Sequence, residues 1–150
     1  MTLTMQPAAF QWGCPLPLKD TAGRTRYTLL SQPYSMGKRL HLLDLAGREA
    51  VSIQQQIPSL MPRYGLTVYG RPIGEMVKDP VSGLCRIELP DWSFQGSGYD
   101  YEVLRGQQAI GRCRSREDGL LELSLSDHTA ALTALAIMLT INCIINVRTR

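Results

Sequence analysis

The chain closes with a long stretch, residues 128–147, that contains no Asp, Glu, Lys or Arg. Its first part, residues 130–141, would be apolar on every side of a helix. A helix that is apolar all round either lies buried in a protein or spans a membrane, and about twenty residues suffice for both. Ser126 and Asp127 precede it as a natural N-cap pair. We therefore predict one central helix at about residues 127–147.

The sequence before this helix consists of short runs in which apolar and polar residues alternate, a pattern typical of antiparallel strands with one wet face. Segments that begin with Asp and end with Gly, at residues 20–23, 44–47 and 79–83, are read as hairpin turns. About twelve candidate strands follow from this pattern. They are centred near Gln11, Leu18, Tyr27, Leu42, Ile53, Leu66, Met76, Ile87, Phe94, Val103, Gly111 and Leu123.

Geometry relates the strands to the terminal helix. Twelve strands about 4.8 Å apart and tilted about 40° close into a barrel of radius roughly 12 Å, too wide for wall side chains alone to fill. A helix with its side chains has a radius of about 5 to 6 Å, which leaves room for one inward layer of side chains around it. We predict a mainly β fold in which an antiparallel barrel encloses the C-terminal helix. The length of 150 residues suits one domain, residues 1–150.

Residues 35–64 carry a family resemblance. They read Ser-Met-Gly-Lys-Arg-Leu-His-Leu-Leu-Asp-Leu-Ala-Gly-Arg-Glu and continue to Ser-Leu-Met-Pro-Arg-Tyr. This segment resembles the LURF-one-related family, which belongs with tubby C-terminal domains and phospholipid scramblases. The resemblance implies a tubby-like barrel of twelve strands around a central helix. Residues 81–86 depart from the family's usual aromatic-rich strand, and Asn142 stands where an acidic residue is common, which implies a neutral buried contact.

Catalytic and metal-binding motifs are missing from the sequence, which has no G-x-S-x-G, P-loop, H-E-x-x-H or G-x-G-x-x-G pattern. His128 beside Asp127 is interpreted as part of a helix cap and not as part of a Ser-His-Asp triad. The cysteines, which stand far apart, are expected to be reduced thiols. They are Cys14, Cys85, Cys113 and Cys143. We predict a protein without enzymatic activity, metal or cofactor.

The charge balance is slight, with 16 Lys and Arg against 13 Asp and Glu and a net charge of +3. Such a balance does not indicate a nucleic-acid-binding protein. No basic residue precedes Lys19 and no long apolar run lies near the N-terminus, so a secretory signal peptide is not expected. The expected location is cytoplasmic, with peripheral membrane association as a further expectation. The sequence leaves the oligomeric state open.

Arg112, Arg114 and Arg116, the arginine stripe, are the best functional clue. They alternate along a predicted strand and would project from one face of it. Such a stripe would suit lipid head-group phosphates, in line with the phosphoinositide binding that the tubby resemblance implies. The alternative is a solvated outer face that Glu117 and Asp118 neutralise. Both interpretations remain open at this stage.

Lys38 and Arg39 form a second basic pair in the segment that carries the resemblance, although a basic pair beside a turn also serves solubility. Three function classes follow. The first is a non-enzymatic barrel that binds an anionic phospholipid, another ligand or a protein partner on its outer surface. The second is a scramblase-like or tail-anchored membrane-associated protein that inserts the terminal helix, and the third is an enzyme with an unrecognised pocket.

Overall fold

The computed structural model describes residues 1–32, 37–56, 61–127 and 129–145. Its strands are β1 (Thr2–Met5), β2 (Leu16–Lys19), β3 (Thr25–Gln32), β4 (Arg39–Leu43), β5 (Glu49–Gln55), β6 (Arg63–Val68), β7 (Arg71–Lys78), β8 (Cys85–Glu88), β9 (Trp92–Ser97), β10 (Asp100–Arg105), β11 (Gln108–Ser115) and β12 (Leu121–Leu125). A short 3-10 helix, Pro7–Ala9, follows β1. Helix α1, Ala131–Thr140, continues as a π-helical stretch, Ile141–Ile145.

The twelve strands form one antiparallel sheet that curls into a nearly closed barrel, in the order β8-β7-β6-β5-β4-β3-β2-β1-β12-β11-β10-β9. The pairing of β1 with β12 is the step at which sequence order breaks, with Leu3 opposite Leu123. The two ends of this order, β8 and β9, share no ladder in the part of the chain that the structure describes. We call the gap between these two strands the seam.

Antiparallel connectivity brings the turns after β2, β4, β6, β8 and β10 to one end of the barrel, the turn end. Two of these turns share one construction. Asp20 Oδ1 accepts the N–H groups of Ala22 and Arg24 at 2.9 and 3.0 Å, and Asp44 Oδ1 accepts those of two later residues at 2.9 Å each. Asp at the first position therefore satisfies backbone donors within the turn, as the sequence predicted.

Helix α1 lies inside the barrel. Residues 134–139 are completely buried, and the helix contacts β5 to β7 on one side and β10 to β12 on the other. Gly111 on β11 lets the helix approach closely, because a Cβ there would lie 2.8 Å from Met138 Sδ and 3.3 Å from Ala134 Cβ. The helix starts at the turn end and finishes at the opposite end, the open end. The predicted fold class, a barrel around a C-terminal helix, is confirmed.

Two local predictions need correction. The helix begins at Ala131 instead of near residue 127, and its N-cap, Ala130, makes no side-chain cap hydrogen bond. Ser126 is still held by the barrel wall, since its N–H donates to Ile110 O at 2.9 Å, so the chain needs several residues to turn inward. Residues 128, 146 and 147 lie outside the described residues.

The second correction concerns the first strand. Gln11 lies in a turn after the 3-10 helix, whereas residues 2–5, to which no strand was assigned, form β1. The strand is four residues long and is held by its pairing with the distant β12. The remaining predicted strand centres all lie within strands of the structure.

Candidate functional site

The arginine stripe lies on the outer wall of the barrel. Arg112 and Arg114 project outward from β11, and Arg116 follows the last residue of that strand. Arg112 and Arg114 line a groove of about 400 Å³ together with Asp100 and Glu102. The prediction that these side chains share one face therefore holds for the two arginines within β11.

Carboxylates from neighbouring strands and turns interleave with this stripe. Arg112 Nη1 lies 3.8 Å from Glu102 Oε1, and Arg116 lies 2.8 Å from Asp118 Oδ2 and 3.8 Å from Glu122 Oε1. Arg114, whose ladder partner is Glu122, makes no ion pair with the residues that the structure describes. Most of the positive charge of the stripe is thus balanced locally.

Lys38 and Arg39 lie far around the barrel from the stripe, because β3, β2, β1 and β12 separate β4 from β11. Lys38 Nζ lies 5.6 Å from the centroid of the Trp12 ring, a cation-π contact. Arg39 is half-buried, and its Nε finds no hydrogen-bond partner among the described residues. The structure does not combine the two predicted basic groups into one surface.

A different set of arginines lies together at the turn end. Arg24, Arg26 and Arg48 have side chains that are 82%, 47% and 73% exposed. Leu45, at the tip of the β4–β5 turn, is 74% exposed, and Tyr69 in the β6–β7 turn is 51% exposed. We call these five residues the arginine face. Between the turns lies a groove of about 270 Å³, lined by Arg26, Tyr27, Asp44, Leu45, Ala46 and Arg48.

The acidic residues of this end lie beneath the arginines. The side chains of Asp20 and Asp44 are only 15% and 12% exposed. Asp20 Oδ2 lies 3.8 Å from both Arg24 Nε and Arg26 Nη1, and Asp44 Oδ2 lies 3.4 Å from Arg48 Nε. The backbone N–H groups of Arg24 and Arg48 are the main cause that lowers the pKa of Asp20 and of Asp44 respectively. Both carboxylates are therefore ionised at neutral pH, but guanidinium groups form the outermost layer.

Tyr69 joins the apolar and the charged parts of this face. Its hydroxyl donates to Asp44 Oδ2 at 3.0 Å, a bond that raises the pKa of Tyr69. The Arg48 guanidinium lies 5.7 Å from the centroid of the Tyr69 ring. Tyr69 has a positive φ of +45°, which fits its place in a tight hairpin turn before Gly70. The Tyr69 ring thus lies beside the Arg48 guanidinium at the surface and does not pack into the core.

Sequence reasoning missed this face, although a signal for it exists. Residues 20–24 and 44–48 repeat the pattern Asp-x-Ala-Gly-Arg. The first four positions were interpreted as turn residues, and the arginine at the fifth was left aside. In the structure the Asp of each turn accepts the N–H of that arginine and lies near its side chain. The repeated sequence pattern therefore identifies two hairpin turns in which the arginine lies near the aspartate of its own turn.

The barrel interior holds a small polar cluster. The Tyr101 hydroxyl donates to Asn142 Oδ1 at 2.8 Å, and Asn142 Nδ2 lies 3.6 Å from Cys113 Sγ. Asn142 is buried, and its amide makes a neutral contact there. Burial raises the pKa of Cys113 to about 11 and that of Cys143 to about 12, so both thiols stay protonated at neutral pH.

Two absences hold within the described part of the chain. No group of three or more His, Cys, Asp or Glu side chains there is arranged to hold a metal ion. Within the same residues, no helix combines the length and the apolar character that crossing a bilayer requires. His128, interpreted from the sequence as part of a helix cap, lies outside the described residues.

Comparisons with known proteins identify a distant relative and a solved structure of similar fold. No family model matches the chain. Over 101 residues the chain is 28% identical to the uncharacterized protein YxjI of Bacillus subtilis (strain 168). This alignment covers 67% of this chain and 58% of that protein. The match thus spans less than two thirds of the relative's length. The X-ray structure of a protein from Arabidopsis thaliana matches with a TM-score of 0.65 at 12% identity, over 94% of this chain and 90% of that chain, which shows the fold alone.

Proposed function

We propose that this protein is a non-catalytic barrel that docks on anionic phospholipid surfaces through its arginine face. The observation that carries the proposal is the layering of charge at the turn end. Arg24 and Arg48 stand 82% and 73% exposed above Asp20 and Asp44, which are 15% and 12% exposed. An approaching phosphate therefore meets guanidinium groups before it meets carboxylates.

The expected strength of this attraction follows from general magnitudes. A cationic side chain near an anionic membrane surface contributes about 1 kcal/mol. Arg24, Arg26 and Arg48 together would contribute about 3 kcal/mol, which is roughly a hundredfold in the binding constant. The arginine stripe has the same number of arginines, and both groups have carboxylates within 4 Å. The carboxylates of the stripe, however, lie at the surface beside the arginines, since Glu102, Asp118 and Glu122 are 33%, 47% and 35% exposed. The stripe is expected to contribute much less.

Apolar tips support the same orientation. Leu45 and Tyr69 are exposed at the same end of the barrel, where a leucine side chain can enter the boundary of the lipid and a tyrosine ring suits the head-group level. Stable peripheral binding generally requires two signals, such as a basic patch together with an apolar insertion. The arginine face offers both at three hairpins of the turn end.

The proposal also includes a family and a cellular location for the protein. On the resemblance of residues 35–64 we assign the chain to the LURF-one-related family with its tubby-like barrels, and we place it at the cytoplasmic side of a membrane. The scramblase-like and tail-anchored alternatives would require α1 to leave the barrel. That step would expose the completely buried residues 134–139 together with the apolar inner wall, so these alternatives rank behind peripheral docking.

The test is vesicle sedimentation of the full chain with a matched control. The wild type is mixed with vesicles of phosphatidylcholine plus phosphatidylserine, or of phosphatidylcholine alone, at low and high salt. The turn variant carries Arg24→Gln, Arg26→Gln and Arg48→Gln, and the wall variant carries Arg112→Gln, Arg114→Gln and Arg116→Gln. Both variants lose the same formal charge. We expect salt-sensitive binding to the anionic vesicles that falls roughly a hundredfold in the turn variant and less than about fivefold in the wall variant.

Two results would contradict the proposal. Equal, salt-insensitive recovery of the wild type in the supernatant of both vesicle types would remove lipid docking altogether. A larger loss in the wall variant would move the site to the arginine stripe. Extraction of the bound protein with alkaline carbonate adds a third check, because a peripheral protein is released and an inserted helix is retained.

A further inference from the structure

A cavity of about 220 Å³ opens at the seam, at the end of the barrel where the helix finishes. Its lining is mostly apolar and includes Cys85 from β8, Phe94 from β9, and Ile141 and Ile145 from the π-helical stretch. All other neighbouring strands among the described residues are hydrogen-bonded to each other. The seam is thus the place where the barrel wall gives access to the central helix.

The gap has a local cause. β8 and β9 are joined at the turn end by residues 89–91, where Trp92 N–H donates to Leu89 O at 3.2 Å. Toward the open end the two strands pair with β7 and β10 and not with each other. Gly96 on β9 has a positive φ of +124°, and a Cβ there would lie 2.3 Å from Asp100 O. No side chain can therefore fill the gap from this position.

Lys78 does not line the cavity itself but lies beside Cys85, which does. Lys78 is the ladder partner of Cys85, so both side chains lie on one face of the sheet. That face is the inner one, since Met76, two residues earlier on β7, belongs to the core cluster that surrounds the helix, and Val77 does not. Lys78 is half-buried, and it makes no ion pair within the part of the chain that the structure describes. Its charge lies close enough to the Cys85 thiol to oppose the rise in pKa, to about 11, that burial causes there.

We infer that the seam cavity binds a small monocarboxylate amphiphile, with its carboxylate on Lys78 and its single acyl chain between Phe94, Ile141 and Ile145. A half-buried cation that makes no ion pair with the described residues is the complement of a carboxylate, and an apolar cavity is the complement of its chain. Leu84, which lines the cavity and is 73% exposed, extends the apolar surface at the mouth. This site lies at the opposite end from the arginine face and is independent of the proposed function.

The volume limits the ligand to a short chain. A cavity of 220 Å³ exceeds the roughly 150 Å³ that holds benzene and falls below the roughly 300 to 1,000 Å³ of sites for drug-sized ligands. Octanoate is therefore a suitable probe. A phospholipid with two long chains does not fit this volume.

The experiment is a titration of the full chain with octanoate and with octan-1-ol, followed by calorimetry. We expect saturable binding of one octanoate per chain. Lys78→Gln should weaken octanoate about tenfold and leave octan-1-ol unchanged, because only the carboxylate uses the charge. Ile145→Phe, which fills the cavity, should weaken both ligands at least tenfold. Lys19→Gln, which removes an exposed lysine on β2, is the matched control and should change neither.

A second measurement locates the ligand. In a Cys14→Ser background, which removes the exposed thiol, octanoate should slow the reaction of Cys85 with a maleimide. Octanoate binding that ignores both Lys78→Gln and Ile145→Phe, or that leaves Cys85 equally reactive, would overturn the inference, as would a lack of saturable binding. The turn variant should bind octanoate like the wild type, so failure of this site and failure of lipid docking are distinguishable.

Discussion

The two ends of the barrel differ in how the chain closes them. At the turn end, Asp20 and Asp44 satisfy the backbone of their own tight turns, and α1 enters with Ala134 against Gly111. At the open end, β8 and β9 part, and a cavity remains beside Ile145. The turn end is thus closed and presents charge on its outside, whereas the open end leaves a route to the core. Recognition at the two ends should therefore follow different chemistry.

The largest expected effect comes from adding bulk to the helix at its two ends. Ala134 is completely buried and lies against Gly111, so Ala134→Leu forces the helix away from β11. We expect a loss of about 3 kcal/mol in the free energy of unfolding, at the upper end for overpacked cores. Ile145→Phe adds bulk beside the cavity and should cost less than about 1 kcal/mol. Urea unfolding of both variants measures the difference.

The two stability losses also test whether the ends of the barrel differ in how tightly the helix is packed. Equal losses for Ala134→Leu and Ile145→Phe would mean that the helix is packed as tightly at the open end as at the turn end. The cavity would then be too small to hold a ligand.

A smaller effect is expected from the carboxylate beneath the arginine face. Asp44→Asn keeps an oxygen that can accept the N–H groups of Ala46 and Arg48, but it removes the negative charge below Arg48. We expect binding to phosphatidylserine vesicles to tighten about fivefold, the scale of one charge at an anionic surface. Glu122→Gln makes the same change on the wall and should leave vesicle binding unchanged. The opposite ranking would favour the arginine stripe as the docking surface.

The smallest effect concerns the ion pairs at the edge of the seam. Hydrogen bonds from Arg86 and then from Arg63, at 2.9 and 2.7 Å, lower the pKa of Glu88 from its ordinary 4.5. A carboxyl whose pKa is lower in the folded state stabilises the fold above its unfolded pKa and loses this contribution as the pH falls through the folded pKa. Glu88→Gln should therefore lower the Tm slightly at pH 7, and the difference should vanish as the pH falls below 4.5. A constant difference would show that charge plays no part.

Much of the fold follows from the sequence because its causes are local. Strand positions come from alternation, as in Leu121, Leu123 and Leu125, which are all buried on the inner face. The buried helix comes from a segment without charge. The helix start was placed too early because Ser126 and Asp127 look like caps, whereas contacts with β11 hold Ser126 in the wall. A single sequence does not reveal such a contact between distant segments.

The candidate site was harder to predict because it depends on pairing across strands. The sequence places Arg112 and Arg114 on one face of a strand, but Glu102 and Glu122 become their ladder partners only through the register of β10 and β12. Likewise, the arginine face exists because Arg24 and Arg48 lie in separate turns that meet at the same end. These charges become neighbours through topology and not through spacing along the chain.

The pairing of β1 with β12 implies an order of events during synthesis. Every other neighbouring pair in the sheet joins strands that are consecutive in the chain, so those pairs can form as soon as the chain leaves the ribosome. During synthesis β1 can pair with β2 along one edge, but its other edge has no partner until residues 121–125 have been synthesised. An exposed strand edge of this kind invites association with other chains. Until β12 has formed, this protein should therefore depend on chaperones more than its compact native barrel suggests.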